Sequence, residues 1–334
     1  MHHELHERET LLKRSRGMLL AAAVLALLVI LLFQTGLPTG FKAGVAALMV
    51  LVVIVARFFS DFFFENRALG HTILILSSAF ALFPVLWILS ASFKPQPEIL
   101  TDLGLWPSHP TLQNYADVFS KTPFMTWFGN SLFIALATTA CGLFFATTAA
   151  FAFSQYRFPG RRAGLYAFLF TQMFPGAILI IPLYTIFSSL KLLDSYPGLI
   201  IGYTTISLPY CVWMMKGFFD TIPQSIMEAA KIDGLSTFGI FYKVVMPLSL
   251  PGIAVTAFFS FITAWNEFMF ANTFMTSSGK MTLPVGLKTF IAEQRTYWEY
   301  LTPSAILMTL PLLLFFLIAQ KWLISGLTSG GVKG

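Results

Sequence analysis

Charged residues along this chain leave eight long intervals without any: 17–41, 43–56, 68–93, 122–156, 163–190, 195–215, 244–266 and 300–320. A helix that crosses a bilayer needs roughly 20 predominantly apolar residues. Seven intervals meet that length directly. The second does so when extended to 40–60, which adds only Lys42 and Arg57, each near an end where a long side chain reaches the interface. The pattern predicts helices near 18–35, 40–59, 72–92, 128–153, 164–187, 196–218, 249–274 and 303–324. Apolar and polar residues do not alternate as in membrane β-strands, so a barrel is not expected. The expected fold is an all-α integral membrane protein of eight transmembrane helices. Lys13, Arg14 and Arg16 precede the first apolar stretch as they would in a secretory signal. No small-residue cleavage site follows it and a second span comes at once, so a retained anchor is expected.

Composition agrees with the spacing. Of 334 residues 56% are hydrophobic and 11% charged, and the mean hydropathy is +0.74, whereas soluble domains carry about 25% charged residues. With the N-terminus cytoplasmic, fourteen of the 21 Lys and Arg fall on the inner side and seven outside. That bias predicts both termini in the cytoplasm. The net charge of +6 then reports topology, and no nucleic-acid role is needed to explain it. Cys141 and Cys211 lie in apolar runs, which argues against a disulfide framework. His2, His3 and His6 with Glu4 and Glu7 crowd the N-terminus but lack metalloprotease spacing, so no metal site is expected. No Ser/His/Asp or Cys/His pairing suggests catalysis.

Three connections are longer than turns: 94–127 and 276–302 outside, and 217–248 inside. In the inner one, Thr221 with Gln224 and Ser225 with Glu228 have capping-box spacing, and Pro223 suits a first helical turn. Gly234 is placed to end that helix in a left-handed cap, Ser236 to start a second helix, and Pro247 and Pro251 to end it. Such a loop either rests on lipid headgroups or docks into a partner's groove, where Ala229 and Ala230 would keep it thin.

A longer pattern bears on that choice. Glu228-Ala229-Ala230, three residues, Gly234, nine residues, then Val244-Val245-Met246-Pro247 closely resembles the EAA loop of ABC importer permeases, with Val244 and Met246 standing for Ile and Leu. The cytoplasmic turn Phe151–Arg161, Phe170–Pro175, Ala264–Phe268 and the ending Gln320–Gly334 also resemble carbohydrate importer permeases of the maltose/maltodextrin type. The resemblance spans about 72–334. It implies a type I importer core of six helices at 71–324, with the EAA loop at 217–248 and a cytoplasmic tail at 325–334. Residues 1–70 would add a tail and two extra helices.

The resemblance further implies a permease subunit in a bacterial or archaeal cytoplasmic membrane. It would pair with a second, maltose-type permease subunit, two ATPase subunits and an extracytoplasmic sugar-binding protein. No cofactor would bind this chain; ATP and magnesium would belong to the ATPase. The chain independently lacks a G-x-x-x-x-G-K-[ST] loop to cradle phosphate, since Gly279-Lys280 is followed by Met281. Glu228, Ala229, Ala230, Asp233, Gly234 and Pro247 would dock on the ATPase, and Thr328, Gly330, Gly331 and Lys333 would line a tail between its two copies. Leu283, Pro284, Gly286, Tyr297 and Trp298 would lie in the loop that faces the binding protein, or else in a plain interfacial hairpin anchored by its aromatics. Asn130, Gln172, Tyr203, Asn266 and Glu267, beside Trp265, are the polar and aromatic residues within spans that could touch a sugar, although the distance of Glu267 from Pro251 favours a place at the outer headgroups. In the maltose type the sugar site lies chiefly on the other permease subunit. The expected cargo is an oligosaccharide, with glycerol-phosphate or another sugar as alternatives. An ion-coupled secondary transporter would need buried acidic residues and internal repeats, and neither is found.

Overall fold

The computed structural model describes residues 67–331, with side chains from 71 to 322. The chain divides into two units, Met1–Pro84 and Val85–Gly334. Helix α1, Arg67–Ser92, contains the boundary; its 71–84 part is apolar, with Leu74, Ile75 and Phe80 exposed. The spans expected near 18–35 and 40–59 lie outside the described residues.

The second unit continues with α2 (Gln113–Lys121), α3 (Phe124–Gln155), α4 (Arg161–Gln172), α5 (Gly176–Ser189), α6 (Tyr196–Phe219) and α7 (Gln224–Ile232). Then come α8 (Thr237–Leu248), α9 (Leu250–Trp265), α10 (Met269–Phe274), α11 (Leu283–Lys288) and α12 (Trp298–Gly331). No β-strand forms among the described residues beyond one antiparallel bridge, Ile291–Thr296. By length and composition α1, α3, α6 and α12 can cross a membrane unbroken, and two bent helix pairs raise the number of candidate spans to six.

The two bent pairs correct the sequence reading. The helix expected at 164–187 is α4 and α5, meeting at 102°. Pro175 holds an extended conformation there, removes an amide donor and biases Phe174 away from the helical region. The helix expected at 249–274 stops at Trp265. It restarts at Met269 because the Glu267 carboxylate caps α10, accepting from the amides of Phe270 at 2.8 Å and Ala271 at 3.2 Å. Pro247 does not end α8. A single π-turn at Phe241–Val245, with Met246 N–H reaching back to Phe241 C=O, precedes the proline, and the chain bends by 78° only at Ser249.

Helices α3 and α6 form the most extensive pair, and α9 packs on both. One end of the bundle is filled by Trp127, Phe261, Trp265, Phe270, Phe274 and Leu283. The other end is filled by Ala146, Ala150, Phe151, Met215 and Phe219, together with Ala230, Ile240 and Val245 from the 217–248 loop. The loop therefore shares a core with the helices it joins. Fully burying one Val or Ile side chain is worth roughly 1.5–3 kcal/mol, so Ile240 and Val245 fasten the loop to α3 and α6.

Candidate functional site

The 217–248 segment begins where α6 ends. Asp220 accepts from Ser154 Oγ at 2.6 Å and from Lys216 Nζ at 2.5 Å, so one carboxylate ties the ends of α3 and α6 together. Gln155 Nε2 donates to Ser154 Oγ at 2.9 Å, and Arg161 Nε donates to Phe153 C=O at 2.7 Å across the next turn. Helix α7 starts at Gln224 behind an extended Pro223. Neither expected capping box forms: the helix has no side-chain cap, and Thr221 Oγ1 donates instead to Phe218 C=O at 2.7 Å.

The end of α7 is as expected. Gly234 has φ +84°, its N–H bonds Lys231 C=O at 3.1 Å, and Leu235 N–H bonds Ala230 C=O at 3.1 Å. These are the paired bonds of a Schellman motif, which needs a left-handed residue at this position. Ser236 Oγ then caps α8, accepting from Gly239 N–H at 3.2 Å.

On α7 the two alanines face opposite ways. Ala230 is 7% exposed and sits in the core with Phe219 and Met215, whereas Glu228 and Ala229 are exposed. Gln224, Glu228, Lys231 and Thr237 border an open cleft of about 240 Å³, closed on its far side by Gln155 and Tyr156 from the end of α3. Beside it Ile232 (85% exposed) and Phe238 (74%) project into the surroundings. Asp233, the C-cap residue, is exposed, and Pro247 lies in the last turn of α8.

At the opposite end of the bundle the 276–302 segment is fastened down. Asp194 Oδ1 accepts from the amides of Thr276 (3.0 Å) and Ser277 (2.9 Å), and Oδ2 accepts from Ser277 Oγ (2.5 Å) and Lys280 Nζ (3.0 Å). The Ser277 hydroxyl and amide, then Lys280 and the Thr276 amide, hold this carboxyl far below the usual carboxylate range. Sequence reasoning missed Asp194. Its one visible signal is its isolation, a lone carboxylate between the charge-free runs 163–190 and 195–215.

The expected contact residues fall into separate local roles. Asn130 Nδ2 donates to Gly279 C=O at 3.0 Å and Met281 C=O at 2.9 Å, while Asn130 Oδ1 accepts from Tyr196 at 2.8 Å. Gln172 is exposed and donates to Ile206 C=O at 3.2 Å. Tyr203 is buried, with its hydroxyl 3.4 Å from Glu267 C=O. Asn266 is exposed, and Trp265 is buried with Nε1 on Met308 C=O at 3.2 Å. In the 276–302 segment, Leu283 is buried and its amide bonds Ser131 Oγ at 2.7 Å. A Cβ on Gly286 would lie 2.2 Å from the Trp127 ring, so this part of the segment is core. Pro284, Tyr297 and Trp298 are half-buried, and the exposed residues of the segment are 276–279, 288–289 and 291–295. Among the described residues no group of His, Cys, Asp and Glu could hold a metal ion. Thr328, Gly330 and Gly331 lie in the last turns of α12, and Lys333 is outside the described residues.

Residues 142–329, from mid-α3 through the 217–248 segment to the end of α12, match the family described as binding-protein-dependent transport system inner membrane component. The chain belongs to this family. Among its curated relatives, the trehalose transport system permease protein SugB of Mycobacterium tuberculosis is 38% identical over 259 residues, covering 76% of this chain and 93% of the relative. The sulfoquinovosyl glycerol transport system permease protein SmoH of Agrobacterium fabrum is 34% identical over 273 residues, covering 81% and 96%. The maltodextrin transport system permease protein MdxG of Bacillus subtilis is 33% identical over 273 residues, covering 80% and 97%. A chain from the crystal structure of a bacterial ABC transporter that imports alginate superposes with TM-score 0.69 at 24% identity, over 79% of this chain and 98% of that one. The fold is thus that of an ABC importer permease, and family membership makes the chain an inner membrane component.

Proposed function

We propose that this chain is a permease subunit of an ATP-driven, binding-protein-dependent oligosaccharide importer. With a second permease subunit it forms the pathway; two ATPase subunits, which bind ATP and magnesium, drive it from the cytoplasm, where both termini lie. A sugar-binding protein delivers cargo on the other side. One observation carries this reading: α7 and α8 present Glu228, Ala229 and Ile232 outward while Ala230, Ile240 and Val245 are locked into the core of α3 and α6. A force applied to α7 therefore moves the spans, as coupling through a rigid two-position element requires. Glu228 anchors the docking helix, Ala229 gives close approach, Asp233 and Gly234 set its exit angle, and Pro247 marks the return to the membrane. Residues Thr328, Gly330, Gly331 and Lys333 extend the contact between the ATPase subunits.

The cargo is a neutral oligosaccharide of the maltose/maltodextrin class. Support comes from α3 and α9, which carry no Lys or Arg, where a phosphate substrate would call for basic residues. A different sugar is the second reading, favoured by relatives named for trehalose and sulfoquinovosyl glycerol. The discriminating experiment reconstitutes the complex with its binding protein and measures ATP hydrolysis against maltose, maltodextrins, trehalose and glycerol-phosphate. Stimulation by maltodextrins is expected. Stimulation by trehalose alone would select the second reading, and stimulation by glycerol-phosphate would overturn both.

A further inference from the structure

The 93–112 segment, which follows α1, has its polarity inverted for a water-exposed loop. Lys94 is 1% exposed, and its ammonium donates inward to the carbonyls of Asp102 and of Gly104 (2.7 Å). The Asp102 carboxylate accepts from the amides of Gly104 (2.9 Å) and Ser108 (3.2 Å). Asn114 Nδ2 covers the carbonyls of Ser92 (3.0 Å) and Lys94 (2.8 Å), and Thr111 N–H covers that of Phe93 (2.7 Å). Beside Gln96, Thr101, Ser108 and His109, the exposed side chains of this segment include five large apolar ones: Leu100, Leu103, Leu105, Leu112 and Trp106, the last 88% exposed. Apolar groups gathered on a surface mark a site of contact, and the inward pairing of Lys94 and of several backbone polar groups lowers the cost of placing the segment near lipid.

Between this segment and the last turns of α1 lies a cavity of about 410 Å³. Leu86, Leu89, Ser90 and Phe93 form one wall and Leu105, Trp106 and two prolines the other, so Ser90 is the one polar side chain in the lining. Leu86 and Leu89 are also exposed on the surface of a candidate span that ends at Ser92. The cavity is therefore continuous with the apolar face that this span turns to its surroundings. Elsewhere on the same segment His109 pairs with Glu98 at 2.8 Å.

We propose that the 93–112 segment lies in the bilayer interface and that its cavity holds an acyl chain of a phospholipid from that leaflet. Trp106 closes over the chain as an interfacial aromatic does. The inference rests on the membrane reading of α1 and needs no particular cargo.

The test uses the full chain in its assembled transporter, reconstituted in phosphatidylcholine vesicles. Tryptophan emission is compared with that of Trp106→Phe, so that the difference reports Trp106 alone among the seven tryptophans. The expected difference emission falls at least twofold when the lipid is brominated near the top of its acyl chains, and aqueous iodide leaves it unchanged. Quenching by iodide without quenching by brominated lipid would place Trp106 in water and overturn the proposal. Shielding from both would mean that protein covers the cavity, which also overturns it. Either failure leaves the transport reading intact, because the measurement involves no turnover.

Discussion

Replacing Gly234 by valine perturbs one backbone conformation and little else. No heavy atom lies within 4 Å of a Cβ built there, so the cost is not steric crowding by neighbours. It comes from φ +84°, a left-handed conformation that costs an ordinary L-residue roughly 1–2 kcal/mol and a strained one up to about 3 kcal/mol. The alternative is to leave that conformation and lose the two cap bonds from Gly234 and Leu235, both 3.1 Å, at about 1 kcal/mol each. Either way the native path from α7 into α8 is disfavoured by about 2 kcal/mol, roughly a 30-fold population shift. Because α8 inserts Ile240 and Val245 into the core of α3 and α6, that shift acts directly on the link between the docking helix and the spans. In proteoliposomes, binding-protein-stimulated ATPase activity and uptake are expected to fall tenfold or more in Gly234→Val, with membrane insertion unchanged. Gly234→Ala should be intermediate. Gly234→Asn, whose side chain tolerates the left-handed region, should retain most activity. Equal activity in the valine and asparagine variants would refute the reasoning.

Gly286→Ala forces a methyl into the Trp127 ring, since its Cβ would lie 2.2 Å away; overpacking of this kind costs typically 1–3 kcal/mol and should lower the melting temperature of the detergent-purified protein. Asp194→Asn removes the charge that meets Lys280 and should speed amide exchange at Thr276 and Ser277 at pH 7. The folded-state pKa of Asp194 is depressed, so its stabilisation is complete above the unfolded value near ~4 and is lost only as pH falls through the folded value. Protection in the unaltered protein should accordingly be flat from pH 8 to pH 5, and a loss of protection near pH 6 would contradict this. Deleting Thr328–Gly334 should reduce stimulated ATP hydrolysis while leaving the chain inserted; normal coupling after truncation would remove the tail from the mechanism.

What the sequence revealed follows how local each determinant is. Spans were legible because a bilayer selects apolar length regardless of the neighbours, so α1, α3, α6 and α12 match the charge-free runs. Gly234 was legible because a helix stop is written within five residues. The 102° break at Pro175 had a visible proline but no visible direction, since Pro182, Pro209 and Pro311 sit inside helices that continue. The break after Trp265 had no breaker residue, and Glu267, weighed for contact with sugar, serves as a cap that only the placed amides of Phe270 and Ala271 disclose. Which alanine faces inward depends on α7 docking against Phe219 and Met215, a tertiary fact. The Asp194 clamp joins residues more than eighty positions apart, and the isolation of that carboxylate between charge-free runs does not say what it meets.

The central claim is that α7 hands the motion of a nucleotide-hydrolysing partner to the spans through its outward face alone. The most direct measurement places single cysteines at Ala229 and Ala230 in a chain whose Cys141 and Cys211 have been replaced, and crosslinks the assembled complex with and without ATP. The account predicts nucleotide-sensitive capture of the ATPase from position 229 and little from the buried position 230. No ATPase capture from 229 in any nucleotide state, or equal capture from both positions, would contradict it.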